Sequence, residues 1–308
     1  MTTKTYLLSS MVRSTWISAF CLPFMLLSGL ASAAPNYIDA LSERSPMDLD
    51  GIPSKIADIL SRYYDVTFGG SENWAKINDF RLQGSLKLPE GEVGFLAYLK
   101  KPAFYKVILF GDYSGELVMA FDGTDAWQTS PGSRQARSMP SDAAADFIRD
   151  SLTGGHLLYP NLPGKRIELL GKGKVGDSLC HTLRVTLPGG QEVTYLIDAQ
   201  TGLERQKITT SRVTGEEEIV THHEWKRVED AIVITQSTMA IKGKAQYTSH
   251  IEQAAINVSL VDSMFQRPPE TAVPTSGNIN TGGPFSLPQR SFSKDNWKIP
   301  SGPFSDTP

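Results

Sequence analysis

Cysteine is scarce in this chain. Two residues in 308, Cys21 and Cys180, exclude a disulfide framework. Positive charge is not in excess either: 30 basic residues face 33 acidic ones, for a net charge of -3. The concentrated basic surface that a phosphate backbone demands is therefore absent, and no nucleic-acid partner is expected. No apolar run reaches the ~20 residues a helix needs to span a bilayer. Catalytic signatures are missing as well: there is no Gly-x-Ser-x-Gly elbow, no P-loop and no dinucleotide glycine fingerprint. His222-His223-Glu224 is the one histidine-rich spot. Adjacent residues of a strand point to opposite faces, whereas zinc proteases use two histidines one helical turn apart. A surface strand beside the acidic run Glu216-Glu217-Glu218 accounts for it, and no metal is expected. His156, His181 and His250 stand alone, and Asp122, Asp177 and Asp198 sit at turns. These absences argue against an enzyme and against a cofactor.

What is present begins with a leader. Lys4 and Arg13 are the only charges before residue 39, and the apolar run Trp16–Leu27 ends in Ser28-Gly29 and then Ala31-Ser32-Ala33. A short apolar stretch followed by small residues reads as a secretion signal cleaved near Ala33. Phe20 occupies the position where a lipid-attachment motif before Cys21 needs a small residue, so no acylation is expected. Residues 34–53 read as a flexible lead-in. Cys180, in the strand-like run Leu179–Leu187, then remains as the single thiol, half-buried and structural.

From residue 54 the pattern is that of a folded domain, which the sequence places over 54–267. Ser54 can cap a helix whose Ile56, Ile59, Leu60 and Tyr63 fall at i, i+3, i+4 and i+7. Gly69-Gly70 stops it, and a short turn around Trp74 and Ile77 follows. The period then changes to two: Phe80, Leu82, Gly84, Leu86 and Leu88 alternate with polar residues, as a half-buried antiparallel strand requires. The runs Val93–Leu99, Phe104–Phe110 and Leu117–Phe121 differ in being apolar on both faces, so both faces must be covered by protein or by a ligand. Asp122-Gly123 reads as a hairpin turn before Trp127. Ser141 can cap a second helix with Ala144, Phe147, Ile148 and Leu152 on one stripe. Turn-formers then separate a second series of strands between 165 and 257. About eleven strands and two or three helices predict an α+β fold with one curved antiparallel sheet and the helices on its concave face. Residues 268–308 hold eight prolines and six serines and read as a disordered tail.

Three segments, in order, resemble the LolA-like family of periplasmic outer-membrane lipoprotein-sorting proteins. Tyr98-Leu99-Lys100-Lys101-Pro102-Ala103-Phe104-Tyr105-Lys106 is similar to that family's basic-Arg-Pro-x-x-Phe strand connection. Phe121-Asp122-Gly123-Thr124-Asp125-Ala126-Trp127, followed by Ser130-Pro131, is similar to its Asp-Gly-x-x-x-Trp hairpin. Met264-Phe265-Gln266-Arg267-Pro268-Pro269 is similar to its closing Phe-x-x-Pro. The resemblance spans roughly residues 55–270.

It implies a half-open antiparallel barrel, incompletely closed and lidded by helices, that carries acyl chains of lipoproteins or other lipids across the periplasm. It also implies an inner-membrane exporter and an outer-membrane acceptor as partners. On that reading the lipid cavity is walled by Phe95, Tyr98, Leu99, Phe104, Ile108, Leu117, Met119, Phe121 and Trp127. Ile59, Phe147 and Ile148 belong to the lid. Where the family's arginine latches lid carbonyls, this chain has Lys101, a point charge without the planar fork, which makes Lys101 the latch candidate here. The alternative within the same fold is a periplasmic lipid-sensing or regulatory module that binds lipid or a partner protein without moving cargo.

Overall fold

Residues 37–111, 116–129 and 135–269 are described in a computed structural model. The expected signal segment 1–33, Ser130-Pro131 and all but the first two residues of the expected tail lie outside them. Within the segment read as a flexible lead-in the chain forms a short helix, α1 (Tyr37–Ser42). Its Leu41 is buried in the core. Helix α2 (Ser54–Phe68) follows and buries Ile56, Leu60 and Tyr63 of the expected stripe, with Tyr64 and Phe68 added and Ile59 only partly buried. The cap differs from expectation. Ser54 is the first helical residue, Pro53 is the N-cap, and the Pro53 carbonyl accepts the N–H groups of Ile56 and Ala57. The same shift occurs at α4 (Ser141–Asp150), capped by Pro140 rather than Ser141. A proline cap makes no side-chain hydrogen bond, but it sits where no donor of its own is needed. Gly69 takes the left-handed conformation that ends α2, and Gly70 at once opens α3 (Gly70–Lys76), where the sequence suggested only a turn.

Thirteen strands, among the described residues, form one wholly antiparallel sheet. The first meander is β1 (Asp79–Leu88), β2 (Gly91–Lys100), β3 (Phe104–Phe110), β4 (Leu117–Phe121), β5 (Ala126–Gln128) and the two-residue β6 (Arg137–Ser138). The second is β7 (Arg166–Val175), β8 (Ser178–Thr186), β9 (Glu192–Asp198), β10 (Glu204–Thr210), β11 (Glu217–Val228), β12 (Ala231–Ile241) and β13 (Lys244–Ile256). The order across the sheet is β6-β5-β4-β3-β2-β1-β13-β12-β11-β10-β9-β8-β7. Its two edges, β6 and β7, do not pair, so the sheet is open. The expected α+β half-barrel is the observed architecture, with two strands more than the turn signals suggested. A strand as short as β6 carries no periodicity to read.

This order has a geometric consequence. The two meanders meet at β1 and β13, so the segment linking β6 to β7 must travel from one edge of the sheet to the other. That segment is α4 and the loop 151–165. It crosses the face on which α2 and α3 also pack, and it is pinned on the way: Thr153 N–H donates to the Pro102 carbonyl at 3.0 Å, and Tyr159 N–H to the Pro46 carbonyl at 2.6 Å.

The opposite face of the first meander is covered by the chain's own end. After β13, Asp79 accepts the N–H groups of Val258 at 2.7 Å and Leu260 at 3.1 Å. The strap beyond it runs over β2, β3 and β5. Lys100 Nζ donates to the Leu260 carbonyl at 2.8 Å, Lys106 Nζ to that of Met264 at 3.0 Å, and Trp127 Nε1 to that of Phe265 at 2.7 Å. Phe265 is fully buried, its ring 5.6 Å from that of Phe104. Strands apolar on both faces are thus covered by the core on one side and by this strap on the other.

Candidate functional site

The helices and the crossing loop roof a cavity of about 350 Å³, within the usual ~300–1,000 Å³ of small-molecule sites. Phe80 and Leu82 of β1 and Leu99 of β2 line one side, with Ile251 of β13 beside them. Val220, Trp225, Ile232, Val233 and Ile234 continue the wall through β11 and β12, and Tyr195 of β9 reaches it from the far side. Tyr63, Thr67 and Phe68 of α2 and residues 149–150 and 152–156 of the crossing segment close the top. In a flat sheet β1 and β9 would lie five strand spacings apart, ~24 Å at ~4.8 Å each. One cavity of this size touches both because the sheet curls around it.

The nine residues expected to wall a lipid cavity divide between two faces. Register decides the division: Leu99 pairs with Tyr105, Phe95 with Leu109, Tyr105 with Phe121, Val107 with Met119, and Leu109 with Leu117. Directly paired residues share a face. Phe95, Leu99, Leu117, Met119 and Phe121 accordingly join the core cluster with α2 and the crossing loop. Tyr98, Phe104 and Ile108 alternate with them and stand on the other face. Trp127 belongs there too, in a separate cluster with Ala120 and Ala136. Of the nine, Leu99 lines the cavity.

The expected lid residues also separate. Phe147 stacks on Tyr105, rings 5.1 Å apart and tilted 21°, and Ile148 packs against the core beside it. Ile59 lines a second hollow, about 590 Å³ in volume, where α2 faces Leu169, His181 and Ile197.

Lys101 lies in the turn between β2 and β3. Its Nζ donates to the Trp74 carbonyl at the C-terminal end of α3, and it lies 3.9 Å from the centroid of the Trp74 ring. Burial pushes its pKa down from the ordinary 10.5 to about 8. Trp74 in turn packs on Phe68, 4.6 Å away. The Gly154 backbone lies so near that an added Cβ would fall 2.8 Å from the Trp74 ring and 2.6 Å from Leu158. The lysine, α3 and the crossing loop are therefore joined through one indole.

Several polar cavity residues have no counterpart in the sequence reading. Of the triplet read as a surface strand, His223 and Glu224 are exposed but His222 is buried. His222 turns inward, its Nε2 2.9 Å from Glu204 Oε1 and its Nδ1 2.7 Å from Ser237 Oγ. These contacts tie β10, β11 and β12 together across the sheet. Arg149, buried at the end of α4, bonds Asp146 at 3.0 Å and Asp150 at 2.8 Å. Burial opposes its charge, but Asp150 and then Asp146 outweigh that and raise its pKa. Lys207 reaches Asp150 at 3.1 Å. Partial desolvation acts to raise the pKa of Asp150, whose side chain is still 37% exposed, yet Lys207 and Arg149 hold it well below the usual carboxylate range. His156 is kept neutral, its pKa lowered to about 3 by burial and then by Lys165. Buried Cys180 lies away from the cavity, its thiol pushed up by burial. Among the described residues no cluster of three His, Cys, Asp or Glu is placed to hold a metal ion. No described helix is long and apolar enough to cross a membrane.

No family model matches the sequence, and no curated protein does. Solved structures do. A DUF1329 family protein from Desulfovibrio piger is 13% identical, with a TM-score of 0.50 over 72% of this chain and 98% of its own. A LolA superfamily protein from Nitrosomonas europaea is 14% identical, with a TM-score of 0.48 over 68% of this chain and 96% of its own. An outer membrane lipoprotein-sorting protein domain from Vibrio parahaemolyticus is 13% identical, with a TM-score of 0.46 over 68% and 94%. At such identities the likeness is one of fold. This open antiparallel sheet, curled beneath its helices and the edge-to-edge crossing, has the fold of the DUF1329 family protein.

Proposed function

We propose that this chain is a periplasmic lipid or lipoprotein carrier that shields acyl chains in the cavity beneath α2, the end of α4 and the crossing loop while they pass towards the outer membrane. The observation that carries the reading is the cavity itself, with Phe80, Leu82, Leu99, Ile234 and Ile251 along its apolar wall. Burying hydrocarbon there is favourable by ~0.8 kcal/mol per methylene, at most ~12 kcal/mol for a sixteen-carbon chain taken wholly out of water. Ordering the chain and opening the roof offset much of this, which a carrier that must release its load requires. Lys101 is the latch: its bond to α3 holds the roof closed over an empty interior. The role is one of binding, without turnover, and an exporter on one membrane and an acceptor on the other are its partners.

The decisive experiment has two arms. Lipid extracted from the purified protein and identified by mass spectrometry tests binding. Movement of that lipid between donor and acceptor vesicles tests carriage. Lipid and transfer together are expected. Lipid without transfer would replace carriage by a lipid-sensing role, and no lipid in either arm would overturn the reading.

A further inference from the structure

Four residues lining the cavity, Thr67, Thr153, His156 and Trp225, carry a buried polar side-chain atom without a hydrogen-bond partner, and two of these, Thr153 and His156, share the crossing loop. These two are 1% and 3% exposed. Neither Thr153 Oγ1 nor His156 Nδ1 makes a hydrogen bond. Their backbones are fixed: Thr153 N–H donates to the Pro102 carbonyl at 3.0 Å, and His156 N–H to the Tyr195 hydroxyl at 3.2 Å. The side chains are thus presented from an anchored segment. Buried polar groups without partners are strongly destabilising and are rare in folded proteins. Two of them, three residues apart on one cavity wall, make a set that the polar end of a ligand completes.

The wall also defines which polar end fits. The formal charges of its lining residues cancel, Arg149 and Lys207 against Asp150 and Glu204. The cations are already engaged, Arg149 with Asp146 and Asp150 and Lys207 with Asp150. Glu204 is engaged with His222. No unengaged cation awaits an acid, and no unengaged carboxylate awaits an amine. His156 adds no charge, because burial keeps it neutral. A neutral imidazole and a hydroxyl can each donate or accept, which suits a head bearing hydroxyl and carbonyl groups. Resting on the acyl-chain reading above, we propose that the cavity selects an amphiphile with an uncharged, hydrogen-bonding head of the hydroxylated-ester kind. Thr153 and His156 hold the head, and Phe80, Leu82, Leu99 and Ile251 receive the tail.

Calorimetric titration of the full chain with 1-monolauroylglycerol, laurate and dodecyltrimethylammonium tests this, since the three share a tail length and differ in head charge. The neutral ester is expected to bind about tenfold more tightly than either ion, the effect of one or two well-placed hydrogen bonds. Thr153→Val and His156→Phe are each expected to cut that preference by about fivefold. Thr153→Val keeps the side-chain shape, and the unmodified protein decides the question even if a variant misfolds. Tighter or equal binding of either ion overturns the head assignment. So does a preference that survives the paired substitutions, which would leave the two atoms to ordered water. Equal binding of all three would leave the acyl-chain reading standing and sink only the head assignment. Binding of none would sink the acyl-chain reading itself.

Discussion

Replacing Lys101 by methionine removes the ammonium and keeps the stem. The lysine donates to the Trp74 carbonyl and lies 3.9 Å from the indole centroid. A hydrogen bond from a charged donor contributes ~1.5–3 kcal/mol, and a cation over an aromatic face ~0.5–2. Desolvation works against both, as the pKa lowered to about 8 records. The Trp74 carbonyl is not orphaned, because Ile77 N–H also donates to it at 3.1 Å. The net loss is then about 1–2 kcal/mol, which for a domain of this size lowers Tm by about 2–8 °C. If the bond holds the roof shut, the same energy shifts the closed-to-open ratio by roughly five- to thirtyfold. Stopped-flow release of a fluorescent fatty acid from the Lys101→Met variant should then be faster by about that factor, while Lys101→Arg stays close to the parent. A variant that melts earlier yet releases the probe at the parental rate would refute the latch and leave Lys101 a purely structural cation.

Stability should also rise with pH across the alkaline range. The pKa of Lys165 is depressed by burial to about 7, from an ordinary 10.5. Between those values the unfolded chain binds more protons than the folded one, so raising the pH favours folding. Urea midpoints at pH 7 and pH 9.5 should show the increase, and Lys165→Met should flatten it. Gly154→Ala combines a left-handed φ of +84° with a Cβ 2.6 Å from Leu158 and 2.8 Å from Trp74. Strain of ~1–2 kcal/mol and overpacking of ~1–3 kcal/mol predict about 2–5 kcal/mol lost in urea unfolding. Phe265→Ala empties the fully buried seat of the strap and should cost about 3–5 kcal/mol by the same measurement. An unchanged midpoint would mean that the strap is not integral to the domain.

Local elements were legible wherever one period dominated. Ile56, Leu60 and Tyr63 marked α2, the alternation from Phe80 to Leu88 marked β1, and Asp122-Gly123 marked the turn whose Asp122 Oδ1 accepts the N–H groups of Thr124 and Asp125. The inward face of β2 to β4 was not legible, because both parities are apolar and only the pairing of Leu99 with Tyr105 separates them. The apolar outer face had its reason 158 to 160 residues away, in the strap that seats Phe265. The polar lining of the cavity was equally hidden: Thr153 and His156 come from a loop, Glu204 and His222 from different strands. An edge-to-edge crossing brings them together, and that crossing follows from strand order rather than from any local pattern.

The seam of the sheet joins Phe80–Lys87 to Thr248–Ile256. Every other neighbouring pair of strands is a local hairpin or meander step, whereas this one closes a loop of just over half the chain. Such pairing is the slow part of folding. At this seam the Gly84 backbone passes so near that an added Cβ would fall 1.9 Å from the His250 carbonyl oxygen, so the last join tolerates no bulk. An emerging polypeptide can form either meander early, but it cannot enclose an interior until its final strand arrives. A nascent chain therefore becomes a container only once β13 has paired with β1.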